Sequence, residues 1–320
     1  MSSDAIFFAT LSTVRIGLFK YGGIFLLCAG TISCILSLFI FSKKTLRKNP
    51  CGIYLIASNI ANIFTIYMSI FETTLSVGYN NDLTISNLTF CRLSLYLTFV
   101  SDNLNSYFLI MASIDRMFLT SKNALTRQRS TSHLAYISII IISIFWLIFH
   151  IHALILPDII QLYPMYFACY FPAGSYLTFI TYYLIIRIVL TLTLMIIFGL
   201  LTIKNIRNIR QVHILPSIQG TGVSTQSILN TPRSKDQLLI RMLLLDVVVY
   251  MIFNLLLVII LLYQQIIQYR SVSLYESQII TFITAVATFS NYIPCCIGFY
   301  TKLFVSKTFR SEVKNSFLCN

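Results

Sequence analysis

The stretch CRLSLYLTFVSDNLNSYFLIMASIDRMFL, residues 91–119, decides how the chain folds. It is longer than the roughly 20 residues that a helix needs to cross a bilayer. Six further apolar stretches of comparable length surround it, at 22–41, 51–71, 134–156, 176–203, 238–266 and 278–300. Only 10% of the residues are charged, against about 25% in soluble domains. The sequence therefore predicts an all-α membrane protein built as a bundle of seven transmembrane helices.

The basic residues are distributed unevenly along the chain. Most of the 23 lysines and arginines follow the first, third, fifth and seventh stretches. Since cytoplasmic segments are enriched in these residues, the pattern predicts a plasma-membrane protein with an extracellular N-terminus, residues 1–21, and a cytoplasmic C-terminus. The net charge of +13 then belongs to a cytoplasmic face held against anionic lipids, and no nucleic-acid partner is expected.

The length accommodates one transmembrane domain, residues 22–300, and a short tail. Its only long connection is a third cytoplasmic loop at about 204–237, whose Ser/Thr/Gly/Pro-rich centre is expected to be flexible. In the tail, residues 301–320, Phe309, Val313 and Phe317 recur every four residues and predict a short amphipathic eighth helix on the membrane surface. Cys319, behind that helix, is either palmitoylated or unmodified.

Two features of residues 91–119 point to a particular class of membrane protein. Cys91 opens the stretch, and an Asp115-Arg116 pair closes it, with the arginine 25 residues after the cysteine. At this spacing, in the third of seven helices, the chain resembles the rhodopsin-like (class A) G-protein-coupled receptors. It looks like a divergent member, similar in local sequence to invertebrate neuropeptide receptors. The resemblance implies that the chain binds an extracellular ligand and activates a heterotrimeric G protein by outward movement of helix six.

The resemblance also implies a disulfide at the cysteine that opens the third helix. Cys169, after the fourth stretch, is the only other cysteine in the predicted extracellular segments. In an oxidising exterior, a Cys91–Cys169 disulfide is therefore expected. Asn87 begins a glycosylation sequon on the same predicted side and is a candidate for modification.

Arg116 needs a partner, because an arginine at the edge of a membrane bundle is costly to leave unpaired. Its candidate partners are Asp115 and an acid on a neighbouring helix. Asp236 is the only acid in the third cytoplasmic loop, so an Arg116–Asp236 lock is predicted to join helices three and six in the resting state. The alternative is that Asp236 is a solvated charge near a helix start.

Further positions match the family or depart from it. Trp146 lies midway along helix four, as in the family, whereas Asn62 replaces its sodium-binding aspartate in helix two. Helix seven has Pro294 and Tyr300 instead of a strict Asn-Pro-x-x-Tyr motif. Asp246, on the inner half of helix six, is assigned to a polar network with helices two and seven. These residues are candidates for packing that changes on activation.

Ionisable residues inside a membrane mark candidate functional sites. Asp102 on helix three and Arg187 on helix five are expected at mid-depth, and Glu72 at the outer end of helix two. Asp102 and Arg187 either form a structural ion pair or engage a charge on the ligand. Thr98 occupies the position where amine receptors of the family carry an aspartate, so a peptide ligand is favoured over an amine.

Other functions remain open at this point. A transporter or channel would use Asp102, Arg187 and Asp246 as a relay, but these charges are expected only at an outer pocket and an inner rim. A receptor-like protein that does not signal is a further alternative. No enzyme, cofactor or metal site is expected, because the sequence lacks the common nucleophile, phosphate-binding and zinc motifs. His150 and His152, two residues apart on a helix, are expected to point to different faces.

Overall fold

The computed structural model describes residues 3–163, 166–172, 174–214, 234–267, 270, 273–306, 309–311 and 313–314. The centre of the predicted third loop, Cys319 and the side chain of Asp236 lie outside this part of the chain. The predictions made for them are therefore not addressed by the structure.

The described chain is almost entirely helical. The helices are α1 (Ser3–Gly17), α2 (Ile24–Phe41), α3 (Lys44–Arg47), α4 (Pro50–Thr65), α5 (Phe71–Thr73), α6 (Leu88–Leu119), α7 (Ala124–Gln128), α8 (Ser132–Phe149), α9 (His152–Ile155), α10 (Ser175–Ile214), α11 (Ser234–Ile267) and α12 (Leu274–Val305). π-Helical turns at Leu18–Gly23, Ile66–Ile70 and Thr74–Gly78 continue α1 into α2 and extend α4 and α5. Strands β1 (Asp158–Tyr163) and β2 (Tyr166–Tyr170) form an antiparallel hairpin between α9 and α10.

Six of the described helical segments are long and apolar enough to cross a membrane. They are Ile6–Phe41, Pro50–Gly78, Ser132–Ile155, Ser175–Arg207, Leu239–Ile267 and Tyr275–Val305. This fits a multi-pass, all-α membrane protein, in agreement with the coarse fold prediction. Two boundaries differ from the sequence prediction: helix begins within the predicted extracellular segment 1–21, and the second span runs beyond 71 to Gly78.

The stretch 91–119 lies within α6, which is not one of these six spans. Its apolar character is diluted by polar side chains that are nevertheless buried, among them Asn103, Ser106, Asp115 and Arg116. They are buried because α6 is in contact with α4, α8, α9, α10 and α11. A helix surrounded by protein on most sides need not be apolar all round, which explains why its hydropathy is lower.

Several helix starts follow from local sequence. Asn49 precedes Pro50, and its side chain accepts a hydrogen bond from the backbone N–H of Cys51. Asn87 caps α6 by accepting bonds from the backbone of Thr89 and Phe90. Such caps satisfy amide groups that have no partner within the helix.

The tail docks onto the helical core through an aromatic contact. Phe309 is fully buried, with its ring centroid 5.6 Å from that of Phe299 and 6.4 Å from that of Phe41. Residues 309–311 and 313–314 are helical, and Arg310 and Lys314 are exposed. The described part of the tail thus has the apolar and charged faces that an amphipathic helix requires.

Candidate functional site

Arg116 is the most deeply buried charged side chain of α6, with no exposed surface. Its guanidinium donates two hydrogen bonds to the adjacent Asp115 carboxylate, one of them from Nε at 3.1 Å. Nη2 also donates to Oδ1 of Asn49 at 2.7 Å. The expected pairing with Asp115 is therefore present, and the arginine lies inside a polar cluster at one end of α6.

This cluster includes residues that the sequence analysis did not identify. Ser130, in the turn before α8, donates to Oδ1 of Asp115 at 2.6 Å. Asn49 is 67 residues from Arg116 along the chain and carries no local signal beyond its role as a helix cap. Together they connect the Arg116 end of α6 to the segments that precede α4 and α8.

A disulfide joins Cys91, near the opposite end of α6, to Cys169 on β2, as predicted. The bond closes a loop with a sequence separation of 78 residues. Arg92 adds a second tie, since its Nε donates to the carbonyl of Pro157 at 3.0 Å. The β-hairpin is therefore fastened to the Cys91 end of α6.

Asp102 and Arg187 face each other between α6 and α10, as their predicted depths implied. Nη2 of Arg187 lies 3.9 Å from Oδ2 of Asp102, close enough for charge attraction but too far for a hydrogen bond. They line a small cavity, which we call the Arg187 cavity. Its other lining residues are Thr65, Asn105, Ser106, Tyr250, Asn291, Pro294 and Cys295.

Two residues predicted for the same pocket lie elsewhere. Thr98 turns its hydroxyl toward the π-helical turn after α4 and donates to the carbonyl of Met68 at 3.4 Å. Glu72 lies in α5, within the helical extension of the second span. Among the described residues, neither lines the Arg187 cavity.

A second small cavity is lined by a buried ion pair and is called the Lys302 cavity. Nζ of Lys302 lies 2.8 Å from Oδ2 of Asp246, and the two side chains are 5% and 11% exposed. Asn62 also lines this cavity, and its buried Oδ1 accepts no hydrogen bond from the described residues. Asp246 thus belongs to a polar site shared by α4, α11 and α12, and its cation is a lysine that the sequence analysis assigned to the tail.

The two cavities share part of their lining. Asn105, Tyr250, Pro294 and Cys295 contact both. Tyr250 adds a direct link, because its hydroxyl lies 3.0 Å from Oγ of Ser106, one turn along α6 from Asp102. The two cavities are therefore neighbours along α6, α11 and α12, with one charged pair lining each of them.

Trp146 lies in a polar and aromatic cluster between α6, α8 and α10. It stacks on His150 with ring centroids 5.5 Å apart, and Nε2 of His150 lies 3.0 Å from Nδ2 of Asn103.

The helix breaks between α8 and α9, which brings the ring of His152 to a centroid distance of 5.5 Å from His150. The expectation that these histidines point to different faces was wrong. In the described residues, however, no group of three metal-binding side chains is found.

The remaining candidates have local roles in the described chain. Tyr300 donates from its hydroxyl to the carbonyl of Ala29 at 3.2 Å, which ties α12 to α2. Pro294 lies inside α12, where it lacks the N–H of a regular helix turn, and contacts both cavities. Asn87 is exposed, and its glycosylation stays a prediction.

Neither a protein-family model nor a curated protein matches this chain.

Proposed function

We propose that this chain is a plasma-membrane receptor with seven transmembrane helices that binds an extracellular ligand and activates a heterotrimeric G protein. The seven helices are the six apolar spans together with α6. The observation that carries the proposal is the environment of Arg116, fully buried among Asp115 and Asn49 at one end of α6. A charge held this way is poised to exchange its partners when the helices around it move.

The ligand site in this proposal lies on the side of the β-hairpin. The Arg187 cavity is lined by Thr65 of α4 and from α6, α10, α11 and α12, the last four being the helices between which a ligand of this receptor class is expected. The exposed aromatic rings of Phe167 and Tyr170 on β2 offer contact area for a peptide. These features support a peptide ligand that reaches from the hairpin into the cavity.

The coupling step proposed is a population shift. Ligand binding favours a state in which α11 lies farther from α6, so that Arg116 exchanges internal partners for groups on the G protein. Exposed basic residues at the same end of the bundle, among them Lys122 and Arg129, complement anionic lipids of the cytoplasmic leaflet.

Substitutions of Arg116 and Asp115 are expected to change signalling in opposite directions. Arg116→Ala abolishes ligand-dependent G-protein activation, because the contact group is lost. Asp115→Asn raises basal activation by up to about tenfold, because a charge-assisted hydrogen bond that stabilises the resting state is weakened. The measurement is G-protein activation in cells, with and without a pooled peptide library, at matched surface expression.

The control is Arg127→Ala, which removes an exposed arginine that donates only to the carbonyls of Ser121 and Lys122 among the described residues. It should signal as the parent does. A parent that reaches the surface yet never activates a G protein, or an Arg116→Ala variant that signals normally, contradicts the receptor proposal.

Transport is a second candidate, favoured by the shared lining of the two cavities. A charge relay from Asp102 to Lys302 would pass Asn105 and Tyr250, which contact both cavities. In liposomes, this candidate function requires an ion flux that Asp102→Asn removes. A parent protein that gives no flux under any ion gradient excludes it.

A further inference from the structure

Arg187 lacks hydrogen-bond acceptors although it is buried. Only 9% of the residue is exposed, and its Nε has no hydrogen-bond partner. The nearest acid, Asp102, is beyond hydrogen-bond distance at 3.9 Å. Within the described chain, no residue accepts a hydrogen bond from this guanidinium.

Such an arrangement is costly unless another molecule completes it. A guanidinium carries five N–H donors and stays charged at physiological pH. Nε of Arg187 is buried without an acceptor, and leaving a buried donor of a charged group unsatisfied is unfavourable. Asp102 offsets the charge but leaves the donors free, because it attracts the guanidinium without bonding to it.

We infer that the Arg187 cavity is a binding site for a ligand carboxylate. A carboxylate presents two oxygens in the plane and spacing that a guanidinium matches with paired hydrogen bonds. Hydroxyl and amide groups of Ser106, Tyr250 and Asn291 line the rest of the cavity and can orient the group that carries it.

The cavity leaves free space beside the ion pair. The Asp102 side chain keeps 28% of its surface uncovered by protein atoms, whereas Arg187 beside it keeps only 8%. The inference rests on the proposed function only in treating the carboxylate as part of an extracellular ligand. The binding chemistry itself depends on Arg187 alone.

The test therefore uses binding and not signalling. The probes are sodium butyrate and butyramide, which share a carbon chain but differ in charge, added to the purified full-length chain in detergent at constant ionic strength. Butyrate should raise the unfolding temperature in a saturable way and butyramide should not. In Arg187→Gln, the apparent Kd for butyrate should be at least about tenfold weaker, the effect of losing one charge-assisted contact.

Arg241→Gln is the matched control, because Arg241 is an exposed arginine on α11 and its loss should leave butyrate binding unchanged. Equal stabilisation by butyrate and butyramide, or a butyrate effect that persists in Arg187→Gln, overturns the inference. If Arg187→Gln does not fold, Arg187→Lys takes its place in the test. It keeps the positive charge and should retain part of the affinity for butyrate.

Two further peptide pools then distinguish the sources of the carboxylate. One pool has amidated C-termini, and the other has free C-termini but glutamine and asparagine in place of the acidic residues. Loss of binding with the first assigns the carboxylate to a peptide C-terminus, and loss with the second assigns it to an acidic side chain. Butyrate binding without G-protein activation would separate this site from the proposed receptor function.

Discussion

Replacing Lys302 with methionine is expected to lower the free energy of unfolding by about 3–5 kcal/mol, because it leaves the Asp246 carboxylate buried without its cation. Methionine keeps most of the length and apolar volume of the lysine stem. The decrease in the free energy of unfolding therefore measures the effect of removing the charge. The pair is well suited to this test, since both side chains are nearly inaccessible and the two atoms are 2.8 Å apart. Denaturant unfolding in detergent micelles provides the measurement.

A double variant decides whether the pair or the packing is responsible. Lys302→Met with Asp246→Leu removes both charges, and stability should return to near the parent value, because apolar pairs often replace buried ion pairs at little cost. Arg270→Met serves as the control. It breaks a pair with Glu276 in which Arg270 is 68% exposed, and should change stability by less than about 1 kcal/mol. A Lys302→Met variant as stable as the parent would contradict the assignment.

The same variant bears on the proposed function. Asp246 lies on α11 and Lys302 on α12, so their bond holds together two helices that must separate if α11 moves outward. Under the receptor proposal, Lys302→Met therefore raises basal G-protein activation as well as lowering stability.

The helical segments were predictable because a bilayer imposes a length and an apolar composition on them. The ends of these helical segments were harder to predict. Lys20 and Glu72 interrupt or end apolar runs, yet the helices continue through them, since the backbone groups must be satisfied within the helix wherever water is excluded. The sequence analysis assigned Lys302 to the basic tail because it lies beyond the last apolar stretch. In the structure, α12 continues past that stretch to Val305 and includes Lys302.

Some contacts within the sites could be predicted from the sequence, and others could not. Asp115 was an expected partner of Arg116 because it is adjacent in the sequence. Counting helical turns placed Asp102 and Arg187 at the same depth, so they were expected to be close to each other. Asn49 was missed because its contact with Arg116 spans 67 residues and depends on how α4 packs against α6. Tertiary contacts of this kind have no signature in a single sequence.

Removing the Cys91–Cys169 disulfide is expected to lower the free energy of unfolding by about 4 kcal/mol. In the chain-entropy model, the bond restricts the unfolded chain by closing a loop, and the separation of 78 residues makes that restriction large. Cys91→Ser and Cys169→Ser should each cause this loss, and the double variant should lose no more than either one. This non-additivity is the signature of two residues that act through one bond.

Cys28→Ser is the matched control, because Cys28 is an exposed free cysteine whose loss should leave stability unchanged. Reduction of the parent with a thiol should reproduce the serine variants, whereas Cys28→Ser should respond to reduction as the parent does. Additive losses from the two serine substitutions, or a parent that is indifferent to reduction, would show that the hairpin is held to α6 by other contacts. Arg92 would then be the residue to test, since its Nε donates to the carbonyl of Pro157, immediately before β1.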